Sequence, residues 1–272
     1  MRFCVLGSGS KGNSTFVEAG QTRVLIDAGF SGKEIERRLA AIKVEAASLT
    51  AILITHEHSD HTRGAAILSR RFKLPILVNA LTRAASGETL GKPHALQEFV
   101  TGASFTCGEL AIHPFRLSHD AADPVGFVVS CGLTSMGYCT DTGVVSRLMH
   151  HRLATCNGLV LESNHDPEML RNGPYPLYLQ QRVRSKEGHL ANEEAAQFLG
   201  EIMHQGLEHV VLSHLSETNN KPELADAVVK AVVAHHCRAE NSGWSGPVIS
   251  VAAQDQVGEV ITLAGGDGDG RS

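Results

Sequence analysis

Short apolar runs broken by glycine and polar turns dominate the first half of the chain, and longer runs with helical repeat dominate the second. Phe3 to Gly7 reads as a buried strand that runs into the tight loop Ser8-Gly9-Ser10-Lys11-Gly12-Asn13-Ser14. Phe16 to Glu18 and Arg23 to Ile26 predict two strands joined at Ala19-Gly20-Gln21. Ser31 can cap a helix whose apolar positions Ile35, Leu39 and Ile42 recur at helical spacing.

Ala51 to Ile54 predicts a short strand that ends directly at a histidine-rich hexapeptide. Ala65 to Phe72 predicts a helix and Ile76 to Val78 a strand, with further strands at Leu110 to Phe115, Val125 to Ser130, Thr134 to Cys139 and Leu159 to Leu161. Helices follow near Pro176 to Val183, Glu193 to His204 and Pro222 to His235, with a strand at His209 to Leu212 between the last two. Val248 to Val251 and Glu259 to Leu263 complete the set. Hairpins and helices recur without strict β-α-β alternation, which predicts an α/β protein of two mixed sheets sandwiched between helices. Residues 1–264 are expected to form a single domain, and the glycine-rich, polar stretch 265–272 a disordered tail.

Composition narrows the class. The chain has 272 residues, 42% of them hydrophobic, which suits a folded globular protein with a sizeable core. No apolar run reaches the roughly 18 residues a bilayer span needs. The segment Met1 to Gly9 lacks the pattern of a secretory signal, so the expected location is the cytoplasm, with no membrane partner. Six cysteines show no Cys-x-x-Cys pair and read as reduced, mostly buried thiols. The net charge of −5 argues against a basic, nucleic-acid-coating protein. It does not exclude a nuclease, because bound cations add local positive charge. No feature identifies a protein partner. The unusual number is the 15 histidines, and the question is which of them converge.

His56-Glu57-His58-Ser59-Asp60-His61 gives the strongest answer. Residues two apart on an extended segment point to the same side, so His56 and His58 can grip one metal. Asp60 and His61, one turn further on, can face a second. Imidazole and carboxylate are ligands taken by divalent zinc, manganese or iron, and without thiolate the set does not choose among them.

A strand ending in Thr-His-x-His-x-Asp-His, after an earlier one ending Leu25-Ile26-Asp27-Ala28-Gly29, resembles the metallo-β-lactamase superfamily. The resemblance implies an αββα four-layer sandwich and a pair of divalent metal ions. His119 in Leu117-Ser118-His119-Asp120 matches the third ligand of the first metal, beside His56 and His58. Asp141 in Thr140-Asp141-Thr142-Gly143 matches the carboxylate that bridges both metals. His214 in Ser213-His214-Leu215 matches the last ligand of the second metal, with Asp60 and His61. Two cations so held, with a hydroxide between them, would depress the pKa of water to roughly 7 and clamp a phosphoryl transition state. Asp60 is expected to orient that hydroxide.

The fold alone does not set a substrate. Glu162 and His189, in Gly188-His189-Leu190, are similar to the glutamate–histidine pair of tRNase Z-type nucleases, whose histidine helps the leaving oxygen depart. Arg182, Arg184 and Lys186 can hold a phosphate backbone near that point, or serve as a solvated helix C-terminus. The Gly7 to Ser14 loop, Glu162-Ser163-Asn164-His165-Asp166, the Gly188 loop and His214-Leu215-Ser216 together resemble the bacterial YycJ/WalJ family. Its members are regarded as 5′→3′ exodeoxyribonucleases, so the resemblance implies DNA as substrate. Ala191 departs from the serine usual there. His165 is a candidate pocket residue or an ordering element of its loop, and the Ser8 to Ser14 loop either offers amides to an anion or makes a turn. The competing expectation is a hydrolase of small esters, thioesters or lactones on the same fold.

Overall fold

The computed structural model describes residues 1–87, 89–240 and 243–265. Most of the stretch expected to be a disordered tail lies outside the described residues. Strands β1 (Arg2–Gly7), β2 (Ser14–Ala19), β3 (Thr22–Ile26), β4 (Ala51–Leu53), β5 (Pro75–Asn79) and β6 (Ala95–Phe99) build one sheet. The second contains β7 (Phe105–Cys107), β8 (Leu110–Arg116), β9 (Val125–Cys131), β10 (Thr134–Cys139), β11 (Gly158–Glu162), β12 (His209–Ser213) and β13 (Val248–Val251). β14 (Ile261–Thr262) returns to pair with β1. Each sheet has seven strands, in the orders β14-β1-β2-β3-β4-β5-β6 and β13-β12-β11-β10-β9-β8-β7. Both are mixed: β1, β2 and β3 pair antiparallel and β3 to β6 parallel, while β7 to β10 pair antiparallel and β10 to β13 parallel.

Alternation along the strands supplies both faces of each sheet. Phe3, Val17, Val24 and Ile26 of the first sheet meet Ile112, Phe127, Val129, Tyr138 and Val160 of the second in a central core. The opposite face of the first sheet, with Leu25, Ile52 and Ile76, is covered by α1 (Gly32–Ala41) and α3 (Ala65–Phe72). The opposite face of the second, with Leu159, Leu161, Val210 and Leu212, is covered by α5 (Arg147–Leu153), α8 (Asn192–Ile202) and α9 (Pro222–Glu240). The result is helix, sheet, sheet, helix. Each fully buried leucine or phenylalanine contributes about 1.5–3 kcal/mol to holding those layers together.

Ser31 caps α1 as expected, accepting from the Glu34 amide. Sequence pattern did not predict α4 (Ala80–Ser86), β6, β7, α5 or α6 (Pro167–Asn172). β6 lies at a sheet edge with Gln97 and Glu98 exposed, and α5 buries only Met149 and Leu153 among histidines and arginines, so neither carries a strong apolar repeat.

Candidate metal centre

The chemistry-bearing residues meet where strands of both sheets end. Asp27 follows β3, Thr55 and His56 follow β4, Asp141 follows β10, Glu162 ends β11, and His214 follows β12. Asp27, Asp141 and His214 have φ of 62°, 61° and 56°. A left-handed conformation costs a non-glycine residue energy, and it persists here because it turns each side chain off its strand into the same space.

Two donor sets result. Nitrogens of His56, His58 and His119 lie within 4.8 Å of one another, and so do donor atoms of Asp60, His61 and His214. Asp141 stands with His56 and His61 in a third such group, so its carboxylate lies at the junction of the other two. The ring centroids of His58 and His119 are 4.6 and 5.2 Å from that of His56. Among the described residues, His56 Nε2, Asp141 Oδ2 and His214 Nε2 are buried with no hydrogen-bond partner in the protein. Buried polar atoms are ordinarily paired, and three of them unpaired at a gathering of imidazole and carboxylate fit divalent metal binding.

Four of these rings, those of His56, His61, His119 and His214, are oriented from behind by their other nitrogen. Nδ1 of His56 donates to Thr55 Oγ1 at 2.9 Å, Nδ1 of His61 to Asp27 Oδ2 at 2.7 Å, and Nδ1 of His119 to the Gly188 carbonyl at 3.1 Å. Nδ1 of His214 donates to Glu162 Oε1 at 3.0 Å. This is the outer support that metal-binding histidines need. The Thr55 amide and hydroxyl donate to Asp27, and Tyr138 reaches the same carboxylate at 3.4 Å.

Glu162 anchors a second group. Its Oε1 also accepts from His189 Nδ1 at 2.8 Å, and its Oε2 from the amides of Thr142 and Leu190. Burial would raise its pKa, but His189 and His214 outweigh that and hold it at about 2, so the carboxylate is ionised. Burial alone works against charge on His61 too. There the carboxylates of Asp27, Asp141 and Asp60 prevail and raise its pKa well above the usual histidine range. His56 goes the other way, because burial and neighbouring rings both disfavour a proton.

The loop Ser8 to Ser14 does not cradle an anion. The amides of Ser8, Gly9, Lys11, Gly12 and Asn13 already donate within the protein. The loop is a brace instead: Ser8 Oγ accepts from the His214 amide at 2.8 Å, and the Asn13 side-chain amide reaches His61 Nε2 at 3.1 Å. Gly29 fits against it only because it lacks a side chain, since a Cβ there would lie 1.6 Å from the Asp60 carbonyl oxygen.

The remaining predicted positions divide. Arg182 lines a cavity beside His119 and His189, but its guanidinium is ion-paired to Asp120 at 2.6 Å. Arg184 and Lys186 are exposed and outside that lining. His165 is 2% exposed and also outside it. Its backbone bridges to Ala191, and burial lowers its pKa to about 4. His165 thus joins the loop to Ala191 through its backbone, outside the cavity lining. Sequence reasoning missed Asn13, Thr55 and Tyr138, and gave Asp27 no role. The signal for Asp27 was a charged residue ending an apolar strand just before Gly29.

A two-sheet sandwich with this histidine–aspartate centre at its strand ends defines the metallo-β-lactamase class of hydrolase. The model of the beta-lactamase superfamily domain matches residues 22–215. The chain is 37% identical to exodeoxyribonuclease YycJ of Bacillus anthracis over 235 residues, 86% of this chain and 89% of that protein. It is 39% identical to exodeoxyribonuclease WalJ of Streptococcus pneumoniae over 228 residues, 82% and 85% of the two chains. The metallo-β-lactamase fold protein YhfI of Bacillus subtilis superposes with a TM-score of 0.73 at 18% identity, covering 96% of this chain and 99% of that one. The chain thus belongs to the metallo-β-lactamase superfamily and, within it, to the YycJ/WalJ family, and it is a metal-dependent hydrolase.

Proposed function

We propose that the chain is an exodeoxyribonuclease that degrades DNA 5′→3′ with two divalent metal ions, zinc foremost and manganese or iron as alternatives. The observation that carries the metal reading is the convergence of His56 Nε2, Asp141 Oδ2 and His214 Nε2, all buried and unpaired. His56, His58 and His119 would hold one ion, Asp60, His61 and His214 the other, with Asp141 shared. When bound, such a pair supplies Lewis-acid polarisation of a phosphodiester and lowers the pKa of water toward neutrality.

The protein's own groups do the rest. Asp60 lies 3.4 Å from His61 Nε2, and its carboxylate is held well below its usual pKa: burial opposes ionisation, and the attraction of His61 and His214 overcomes it. It is therefore a permanent acceptor, able to orient an attacking water. His189 gives its Nδ1 to Glu162, which leaves Nε2 to carry a proton to the departing oxygen, and the ionised Glu162 stabilises the protonated ring. DNA is assigned as substrate on the strength of the two relatives' names, together with this leaving-group pair. A cytoplasmic setting fits six free cysteines, and among the described residues no helix is long and apolar enough to cross a membrane.

End-labelled DNA incubated with the protein and zinc or manganese tests the reading. Stepwise shortening from the 5′ end, abolished by chelation and by Asp60→Ala, is expected. Intact DNA alongside turnover of a thioester or lactone would replace this reading with the small-molecule hydrolase.

A further inference from the structure

A 140 Å³ cavity opens beside the candidate metal centre, sharing His119 and His189 with it and extending to residues that neither donor set nor the Glu162–His189 pair uses. Among these are Asn164, Tyr175, Ser216, Asn219 and residues of α7 (Leu177–Val183), and α7 buries none of its side chains.

Asn219 is the unusual member. It is 1% exposed, its amide N–H donates to Ser216 Oγ at 3.1 Å, and its carbonyl accepts from Asp166 at 2.9 Å. Its side chain has no such partners: neither Nδ2 nor Oδ1 is hydrogen-bonded to any described residue. Burying both ends of an amide unpaired is unfavourable unless something else pairs them. Nothing in its local turn requires that arrangement, since the backbone of Asn219 is already satisfied.

The arginine and lysine side chains here are already matched, which argues against an anion as the missing partner of Asn219. Arg182 is the one arginine or lysine in the lining, and it is matched to Asp120 at 2.6 Å. Nearby Lys11 is matched to Glu217 at 2.6 Å. A phosphate would compete with a carboxylate for either cation. A neutral planar group presenting a donor beside an acceptor meets no such competition, and an asparagine amide pairs with that edge of a nucleobase in two hydrogen bonds. Tyr175 adds an aromatic ring to the same cavity, and rings stack on bases of any sequence.

We propose that this cavity is a nucleobase subsite, in which Asn219 hydrogen-bonds the edge of a base of the bound DNA end and Tyr175 packs against it. The proposal rests on the nuclease reading above. Its test is competition by an uncharged deoxynucleoside against hydrolysis of bis(p-nitrophenyl) phosphate by the metal-loaded protein, compared across wild type, Asn219→Ala, Asn219→Asp and Leu179→Trp. Asn219→Asp keeps the side chain's shape without its N–H donors. Leu179→Trp fills the cavity from a half-buried position on an exposed helix, so it keeps the test decisive if the Asn219 variants fold poorly.

The deoxynucleoside is expected to inhibit wild type, with an inhibition constant about tenfold higher in both Asn219 variants, the scale of one or two lost hydrogen bonds. Leu179→Trp should weaken inhibition by at least as much. The same inhibition constant in all four proteins overturns the subsite, as does a wild type that deoxynucleoside does not inhibit. Cleavage of bis(p-nitrophenyl) phosphate with end-labelled DNA left intact is a separate result that removes the nuclease reading itself and the subsite with it.

Discussion

Asp27 Oδ2 accepts a hydrogen bond from His61 Nδ1 at 2.7 Å, and both side chains are fully buried. The bond orients the His61 ring and leaves Nε2 facing Asp60 and Asp141, at 3.4 and 3.3 Å. Asp27 thus sets a ring that the proposal assigns to the second ion without reaching that ion itself. Asp27→Asn keeps the shape and removes the charge, so it should weaken metal binding about 10–100-fold, the usual effect of removing such support. Competitive titration with a chromogenic chelator measures this, and equal affinity in both proteins would contradict the role.

Glu162 and His189 form one unit, because the carboxylate accepts from the ring's Nδ1 at 2.8 Å and so orients it. His189→Ala should lower kcat on DNA about 10²–10⁴-fold, the range for a positioned proton donor. It should matter less for a substrate whose leaving group departs without a proton, such as p-nitrophenolate. Glu162→Gln added to His189→Ala should cost less than it does alone, the non-additivity expected of groups acting together, with the remaining loss coming from its second bond, to His214. Fully additive losses would separate the two residues.

Much of this arrangement was legible in the chain, and the rest was hidden for physical reasons. The His56 to His61 segment declares itself because four ligands fall within six residues: His56 and His58 share one side of an extended segment, and the helical turn α2 (Ser59–Thr62) carries Asp60 and His61 round to the second site. His119, Asp141 and His214 come from distant stretches, and only order and resemblance pointed to them. The brace was not legible. Asn13 looked like a turn residue, and its contact with His61, 48 positions away, depends on Gly29 letting two backbones approach. Arg182 reads either as a phosphate contact or as a solvated helix end, because sequence cannot show Asp120 beside it. The cavity next to Asn219 exists only once α7 is placed, and α7 has too little burial to impose a pattern.

Arg184 and Lys186 differ from Arg182 in having no ion pair with another described residue. If they follow the DNA backbone away from the centre, each should release counterions when the strand binds. Replacing either with alanine should reduce the slope of log K against log salt by about 1 and weaken different sequences alike. Replacing Arg182 should change that slope less, because Asp120 already screens it. Fluorescence anisotropy on labelled oligonucleotides, with Asp60→Ala to prevent cleavage, supplies the slopes. Unchanged slopes for Arg184 and Lys186 would make them merely the solvated end of α7.

Removing metal should destabilise the protein as well as silence it. The centre gathers Asp60 and Asp141 among five imidazoles, with three buried atoms that have no hydrogen bond in the protein, and divalent ions satisfy those atoms only in the folded chain. At a free metal concentration about 1,000-fold above Kd, this linkage is worth about 4 kcal/mol. For a chain of this size that corresponds to a rise in Tm on the order of 10 °C. Thermal melts of the chelator-stripped protein should therefore fall below those of the zinc- or manganese-restored one. Asp141→Ala, which removes the shared carboxylate, should shrink the gap between the two. Identical melts with and without metal, at concentrations where binding is measured, would mean that the ions are not held by these buried groups.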